Sequence, residues 1–175
     1  RSFFHHRHHT DGGWWTPYHV TILEACQRAF LKQTFEQTMT TATLQARVQS
    51  VRYEARGIVS IELCPASEEY FFPQFEAGAH VDLHLNNGLV RSYSLTNPGE
   101  LPNRYEIAVI NDRNSRGGSR FIHEQLRVGD VLPISPPRNL FPLNETTEGS
   151  VLIAGGIGIT PIFAMLKRLV ELGRK

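Results

Sequence analysis

The sequence is poor in cysteine, methionine and tryptophan, with two of each in 175 residues, and its 18 Lys and Arg nearly cancel its 17 Asp and Glu. Each shortage excludes a class of function. Cys26 and Cys64 alone cannot hold a zinc ion or an iron–sulfur cluster, and their separate contexts give no disulfide framework, which points to a reducing, cytosolic setting. A net charge of +1 lacks the basic excess that phosphate neutralisation demands, so no nucleic-acid partner is expected. No apolar run approaches the roughly 18 residues of a membrane span, and no signal-like apolar core follows residues 1–9, so neither a membrane partner nor export is expected. What remains is 41% hydrophobic and 20% charged, with mean hydropathy −0.26, the profile of an ordinary globular chain. One domain with a real core is expected at this length, together with pieces of others.

Composition divides the chain near Met39, since five of the eight histidines and both tryptophans lie before it. Residues 1–38 are expected to be a disordered or artefactual extension, in which only residues 20–35 read as an amphipathic helix, with Ile22, Leu23, Cys26, Ala29 and Phe30 on one side. His5, His6, His8 and His9 have no carboxylate or cysteine arranged around them, and no metal site is expected.

Residues 39–147 carry short half-buried strand patterns at 44–51, 58–63, 81–85, 89–95, 105–110 and 131–135. Asn87 and Gly88 mark a hairpin turn because both tolerate positive φ. Together these predict a six-stranded antiparallel Greek-key barrel. One helix interrupts it, over residues 120–126, with Ser119 as N-cap and Gly129 and Asp130 as the turn that follows. The pattern then changes. Residues 150–154 form a continuous apolar run typical of a strand buried on both faces, Gly155, Gly156 and Gly158 follow, and a helix opens at Thr160 and Pro161 with Phe163, Leu166 and Val170 as its apolar stripe. Residues 148–175 are therefore expected to be the first β-α unit of an α/β nucleotide-binding domain, cut short at Lys175.

The chemistry concentrates in two places. On a strand, Arg91, Ser92, Tyr93 and Ser94 offer a forked donor for phosphate and an aromatic face for a flat ring, with alternation sending Arg91 and Tyr93 to one side and Ser92 and Ser94 to the other. Arg116, Gly117, Gly118 and Ser119 stand at a helix N-terminus, where unpaired N–H groups favour an anion and glycines let the backbone approach it. Arg91 and this loop predict a phosphate cradle. His80 and His84 read as solvated strand residues, and Cys64, with no activating base nearby, as a packing residue.

Five segments in order, namely 78–85, 90–95, 105–109, 115–119 and 154–161, resemble the ferredoxin reductase superfamily, and most of all its phthalate dioxygenase reductase branch, which includes vanillate demethylase reductases. The resemblance covers residues 44–175. It implies a flavin barrel joined to an NAD-binding domain and, in that branch, to a C-terminal 2Fe-2S domain, whose cysteines are expected to lie beyond Lys175 or to be absent. Carried over residue by residue, it implies that Arg91 binds the flavin phosphate, Tyr93 packs against the isoalloxazine, and Ser94 acts catalytically near the atom that receives hydride. Ala108 and Val109 would line the ring edge, and Gly117, Gly118 and Ser119 would hold the phosphate. Gly155, Gly156, Gly158 and Thr160 would face a pyridine nucleotide. FMN is the implied flavin, with FAD the alternative; NADH or NADPH is the donor and a terminal aromatic-ring oxygenase or demethylase the acceptor. Two rival readings stay open: a flavin-binding module without NADH-dependent turnover, and a barrel for some other anionic ligand whose glycine loops serve only as turns.

Overall fold

The computed structural model describes residues 43–99, 103–147 and 149–174, all within the compact unit Met39–Lys175. The expectations for residues 1–38, including the helix at 20–35 and the histidine cluster, lie outside the described residues. Six strands form one antiparallel sheet: β1 (Leu44–Ala55), β2 (Ile58–Pro65), β3 (His80–His84), β4 (Val90–Ser94), β5 (Tyr105–Ile110) and β6 (Val131–Ile134), in the order β4-β3-β6-β1-β2-β5. The sheet curls until its edge strands meet. Just beyond β4, Leu95 bridges Ile107 of β5, and the Thr96 N–H donates to the Glu106 carbonyl at 2.8 Å.

Alternation explains which side chains fill the interior. Ala46 and Val48, Ile61 and Leu63, Val81 and Leu83, Tyr105, Ile107 and Val109, and Leu132 and Ile134 point inward and are buried, while their sequence neighbours, apart from the buried Ser60, are more accessible. The connection between β2 and β3 adds Phe72 and Phe75, which pack against Tyr105 with ring centroids 4.4 and 5.2 Å away. The Tyr105 hydroxyl donates to the Pro73 carbonyl at 2.6 Å, and burial pushes its phenol well above the usual tyrosine range. One end of the interior is covered by α1 (Gly118–Gln125), which contributes Ile122 and, just past its end, Leu126.

Several expectations are corrected. β1 runs on to Ala55 because β2 pairs with it to the turn, where Gly57 sits at φ 74°. The β3–β4 turn is a three-residue loop, Asn86, Asn87 and Gly88, in which only Gly88 has positive φ, so Asn87 does not use its tolerance for that region. Ser119 is not the N-cap of α1. Gly117, at φ 95°, holds that position and Ser119 lies inside the first turn.

The apolar run at 150–154 forms no strand: Val151 and Ile153 are 89% and 84% exposed, because no strand stands beside the segment among the described residues to take up its hydrogen bonds. After a 3-10 turn at Gly156–Gly158 comes α2 (Ile159–Glu171), which buries Thr160, Ala164, Met165 and Leu169. Its expected stripe of Phe163, Leu166 and Val170 faces outward. Ala164 and Met165 instead pack on Ala77, Leu143 and Leu152, and Gly78 permits this, since a Cβ there would stand 1.9 Å from the Phe141 carbonyl oxygen.

Two polar ties brace the seam and the strand beside it. The buried Asn97 donates to the Arg104 carbonyl at 2.9 Å and accepts from the Glu106 N–H at 3.0 Å, latching the start of the β4–β5 connection onto β5. Asp82 on β3 accepts from the Ser92 hydroxyl of β4 at 2.5 Å and pairs with Arg138, which follows β6. Burial works to raise the Asp82 carboxyl, but the Ser92 hydrogen bond and the Arg138 charge outweigh it and hold the group below its ordinary value of 3.8.

Asn97→Ala leaves two half-buried main-chain groups without their side-chain partner, each costing about 1 kcal/mol, the low end of the range for a buried group. Urea unfolding should therefore show a loss of about 2 kcal/mol, and a loss within measurement error would remove the latch. For Asp82 the depressed value means that the contribution is complete above the unfolded carboxyl value and is lost as pH falls through the folded one. The stability difference between the wild type and Asp82→Asn should stay constant from about pH 7 to 5 and shrink below about pH 4, given an unfolded Asp near 3.9. A difference that grows on acidification would contradict the assignment.

Candidate functional site

At the seam where β4 and β5 approach lies a cleft of about 500 Å³. Arg91, Ser92, Tyr93 and Ser94 form one wall, Ala108 and Ile110 the next, the 111–117 loop and Ser119 a third, and Ile157, Gly158, Thr160 and Pro161 the side facing α2. All four β4 residues reach the cleft despite alternation, because it runs along the strand edge, where side chains of both faces are within reach.

The loop at 111–117 is folded by its own side chains. Asp112 accepts from the Asn114 N–H at 2.9 Å and, through its carbonyl, from the Ser115 N–H at 3.0 Å; the Ser115 hydroxyl accepts from the Gly117 N–H at 3.1 Å. This corrects one expectation, since the Gly117 amide is engaged within the loop and is not free for a ligand. The first helical main-chain bond runs from Phe121 to Gly117 at 3.0 Å, so the N–H groups of Gly118, Ser119 and Arg120 have no acceptor within α1. The Ser119 Oγ is buried and has no hydrogen-bond partner. A buried, unpaired hydroxyl beside helix N–H groups without a helical acceptor fits an anionic oxygen.

Two cations border that point, Arg91 and Arg116. The Arg91 guanidinium donates to the carbonyls of Val90 at 2.8 Å and Arg116 at 3.2 Å, which holds it over the start of α1. Tyr93 packs partly against the interior, and burial pushes its phenol up against the opposing pull of the Arg91 charge, so it stays neutral at ordinary pH. Ser94 lines the same wall.

Not every predicted residue belongs. Val109 points into the interior and is fully buried, as alternation on β5 requires once Ala108 faces the cleft. The same alternation, carried one step further, would have found Ile110. Gly155 and Gly156 lie outside the cleft with open space around them, while Gly158 and Thr160 line it. The Thr160 hydroxyl donates to the Ile157 carbonyl at 3.0 Å. Arg116 lines the cleft as the cradle reading expects, while Asp112, Asn114 and Ser115 join it through the loop's path, for which the sequence offers only small polar residues as a signal. His80 and His84 do not line the cleft, and Cys64 faces Gln49 at 3.5 Å. Among the described residues no cluster of His, Cys, Asp or Glu could hold a metal, and no helix is long and apolar enough to cross a membrane.

No protein-family model matches the chain. It is 54% identical over 132 residues to the tetrachlorobenzoquinone reductase of Sphingobium chlorophenolicum, which covers 75% of this chain and 40% of the relative. To the vanillate O-demethylase oxidoreductase of Pseudomonas sp. (strain HR199 / DSM 7063) it is 49% identical over 126 residues, 72% of this chain and 39% of the relative. The solved structure of phthalate dioxygenase reductase, described as modular for electron transfer from pyridine nucleotides to 2Fe-2S, superposes with a TM-score of 0.72 at 40% identity, over 77% of this chain and 41% of that one. The chain thus spans about 40% of the length of the relatives it matches. Its homologues are vanillate O-demethylase oxidoreductases, phthalate dioxygenase reductase and their kin, and with them it belongs to the ferredoxin reductase-like proteins.

Proposed function

We propose that this chain is the flavin-binding part of a reductase component that takes reducing equivalents from NAD(P)H and delivers them, by way of FMN and a 2Fe-2S centre on another domain, to an aromatic-ring oxygenase or demethylase. The observation that carries this reading is the junction of Arg91, Arg116 and the unpaired Ser119 Oγ at the start of α1, opening onto a cleft walled by Tyr93 and Ser94. The cleft's volume is within the range of about 300–1,000 Å³ typical of small-molecule sites.

The residues present fit FMN. Arg91 and Arg116 supply positive charge, and the Ser119 N–H and hydroxyl supply directed donors, the combination that suits a phosphate. Tyr93 offers a neutral aromatic wall for a flat ring. Ala108, Ile110, Ile157 and Pro161 exclude water around it, and Ser94 holds a hydroxyl proton where it can meet a ring atom. When bound, FMN would supply the exchange between a two-electron hydride donor and one-electron acceptors. Ile157, Gly158, Thr160 and Pro161 give the α2 side of the cleft no charged residue, which suits the approach of a nicotinamide ring. A second reading, a flavin module without NADH-dependent turnover, draws on the unpaired 150–154 segment and its exposed Val151 and Ile153; stopped-flow mixing with NADH separates the two.

The first test is the visible spectrum of the purified chain, followed by denaturation and chromatography of the released chromophore. FMN at near-equimolar yield is expected. FAD would retain the family and overturn the choice of flavin, and a colourless protein that takes up neither would remove the function. Charge-assisted hydrogen bonds contribute roughly 1.5–3 kcal/mol each, so Arg91→Ala should weaken FMN binding about tenfold to a hundredfold at 1.4 kcal/mol per decade. Unchanged affinity would sink the phosphate assignment.

A further inference from the structure

The two adjacent glycines at the start of α1 meet different demands. Gly117 lies at φ 95°, in the left-handed region that side chains disfavour, and a Cβ there would come only within 3.3 Å of the Leu89 Cδ1. Gly118 has helical backbone that any residue can adopt, so its lack of a side chain has no conformational reason. Its reason is space. A Cβ on Gly118 would stand 2.6 Å from Arg91 Nε, 2.7 Å from Cγ and 3.1 Å from Cδ, overlapping the middle of that side chain and not a mobile tip. Arg91 has little freedom to withdraw, because its Nη1 and Nη2 are already committed to the carbonyls of Val90 and Arg116.

We propose that Gly118 is a positioning residue: it is the notch in which the Arg91 stem lies, and it sets where the guanidinium presents its charge to the anionic group of the cofactor. The inference rests on the flavin-phosphate reading above but assigns Gly118 a different part in it. The family resemblance implies a glycine that lets a phosphate reach the backbone; the geometry makes it a glycine that lets an arginine reach the phosphate. Displacing the stem would lengthen the contact to the Arg116 carbonyl, already 3.2 Å, and turn the guanidinium away from Ser119 and the free helix N–H groups.

The test compares FMN with riboflavin, which shares the ring system and lacks the phosphate. Dissociation constants for both, from flavin fluorescence quenching, are measured for the 175-residue wild type, Gly118→Ala, Arg91→Ala and the double variant. Gly118→Ala is expected to weaken FMN at least tenfold while riboflavin changes less than twofold, and adding it to Arg91→Ala should have no further effect on the FMN-to-riboflavin ratio. An equal loss for both ligands would mark a merely structural role and overturn the proposal, as would an unchanged ratio. A wild type that binds flavin without preferring FMN would overturn the phosphate reading itself, which is a separate failure. Should Gly118→Ala fold poorly, thermal unfolding without flavin decides. The clash requires that Arg91→Ala, by removing the stem, restore the melting temperature of the double variant to that of Arg91→Ala alone. A double variant that melts as low as the two losses added together would overturn the notch.

Discussion

The functional cleft exists because the sheet closes on itself. β4 and β5 are its two edge strands, and the residues that line the cleft come from both, so Arg91, Tyr93 and Ser94 face Ala108 and Ile110 only where the Leu95–Ile107 bridge draws the edges together. The Asn97 latch and the stack of Phe72 on Tyr105 hold that seam from the loop side.

A second constraint is electrostatic. The chain as a whole is nearly neutral, yet Arg91 and Arg116 converge at the start of one helix, where the free N–H groups already favour an anion. Arg91 is held there by two carbonyls and a missing Cβ, so its position is set before any ligand arrives. Preorganisation of this kind reduces the ordering cost of binding. The Asp82 network with Ser92 and Arg138 works behind the same strand and fixes β4 against β3.

Much of the fold was legible in the sequence, because a half-buried strand imposes a period of two. β5 was located residue for residue, and the other strands to within a few residues at their ends. The errors share a cause. Strand ends, the three-residue loop at Asn86 and the extension of β1 to Ala55 depend on partner strands, and the failed strand at 150–154 had the right composition but no neighbour among the described residues. On α2, a helix with apolar residues on more than one side, periodicity identified one stripe while packing on Ala77 and Leu143 selected another.

At the site, the residue types in Arg91, Tyr93, Ser94 and Ser119 were readable because a phosphate and a flat ring demand those chemistries. Val109 was misplaced against its own alternation, and the uses of Gly117 and Gly118 were read as one when the structure separates them. The sequence by itself determined the inward and outward faces of the strands and the chemical inventory of the cleft, since both follow from local periodicity and side-chain type. The Gly117 amide is consumed locally, by a hydroxyl two residues back, but only the tertiary structure decided where the Arg91 stem is seated, because that depends on a contact between residues 25 positions apart.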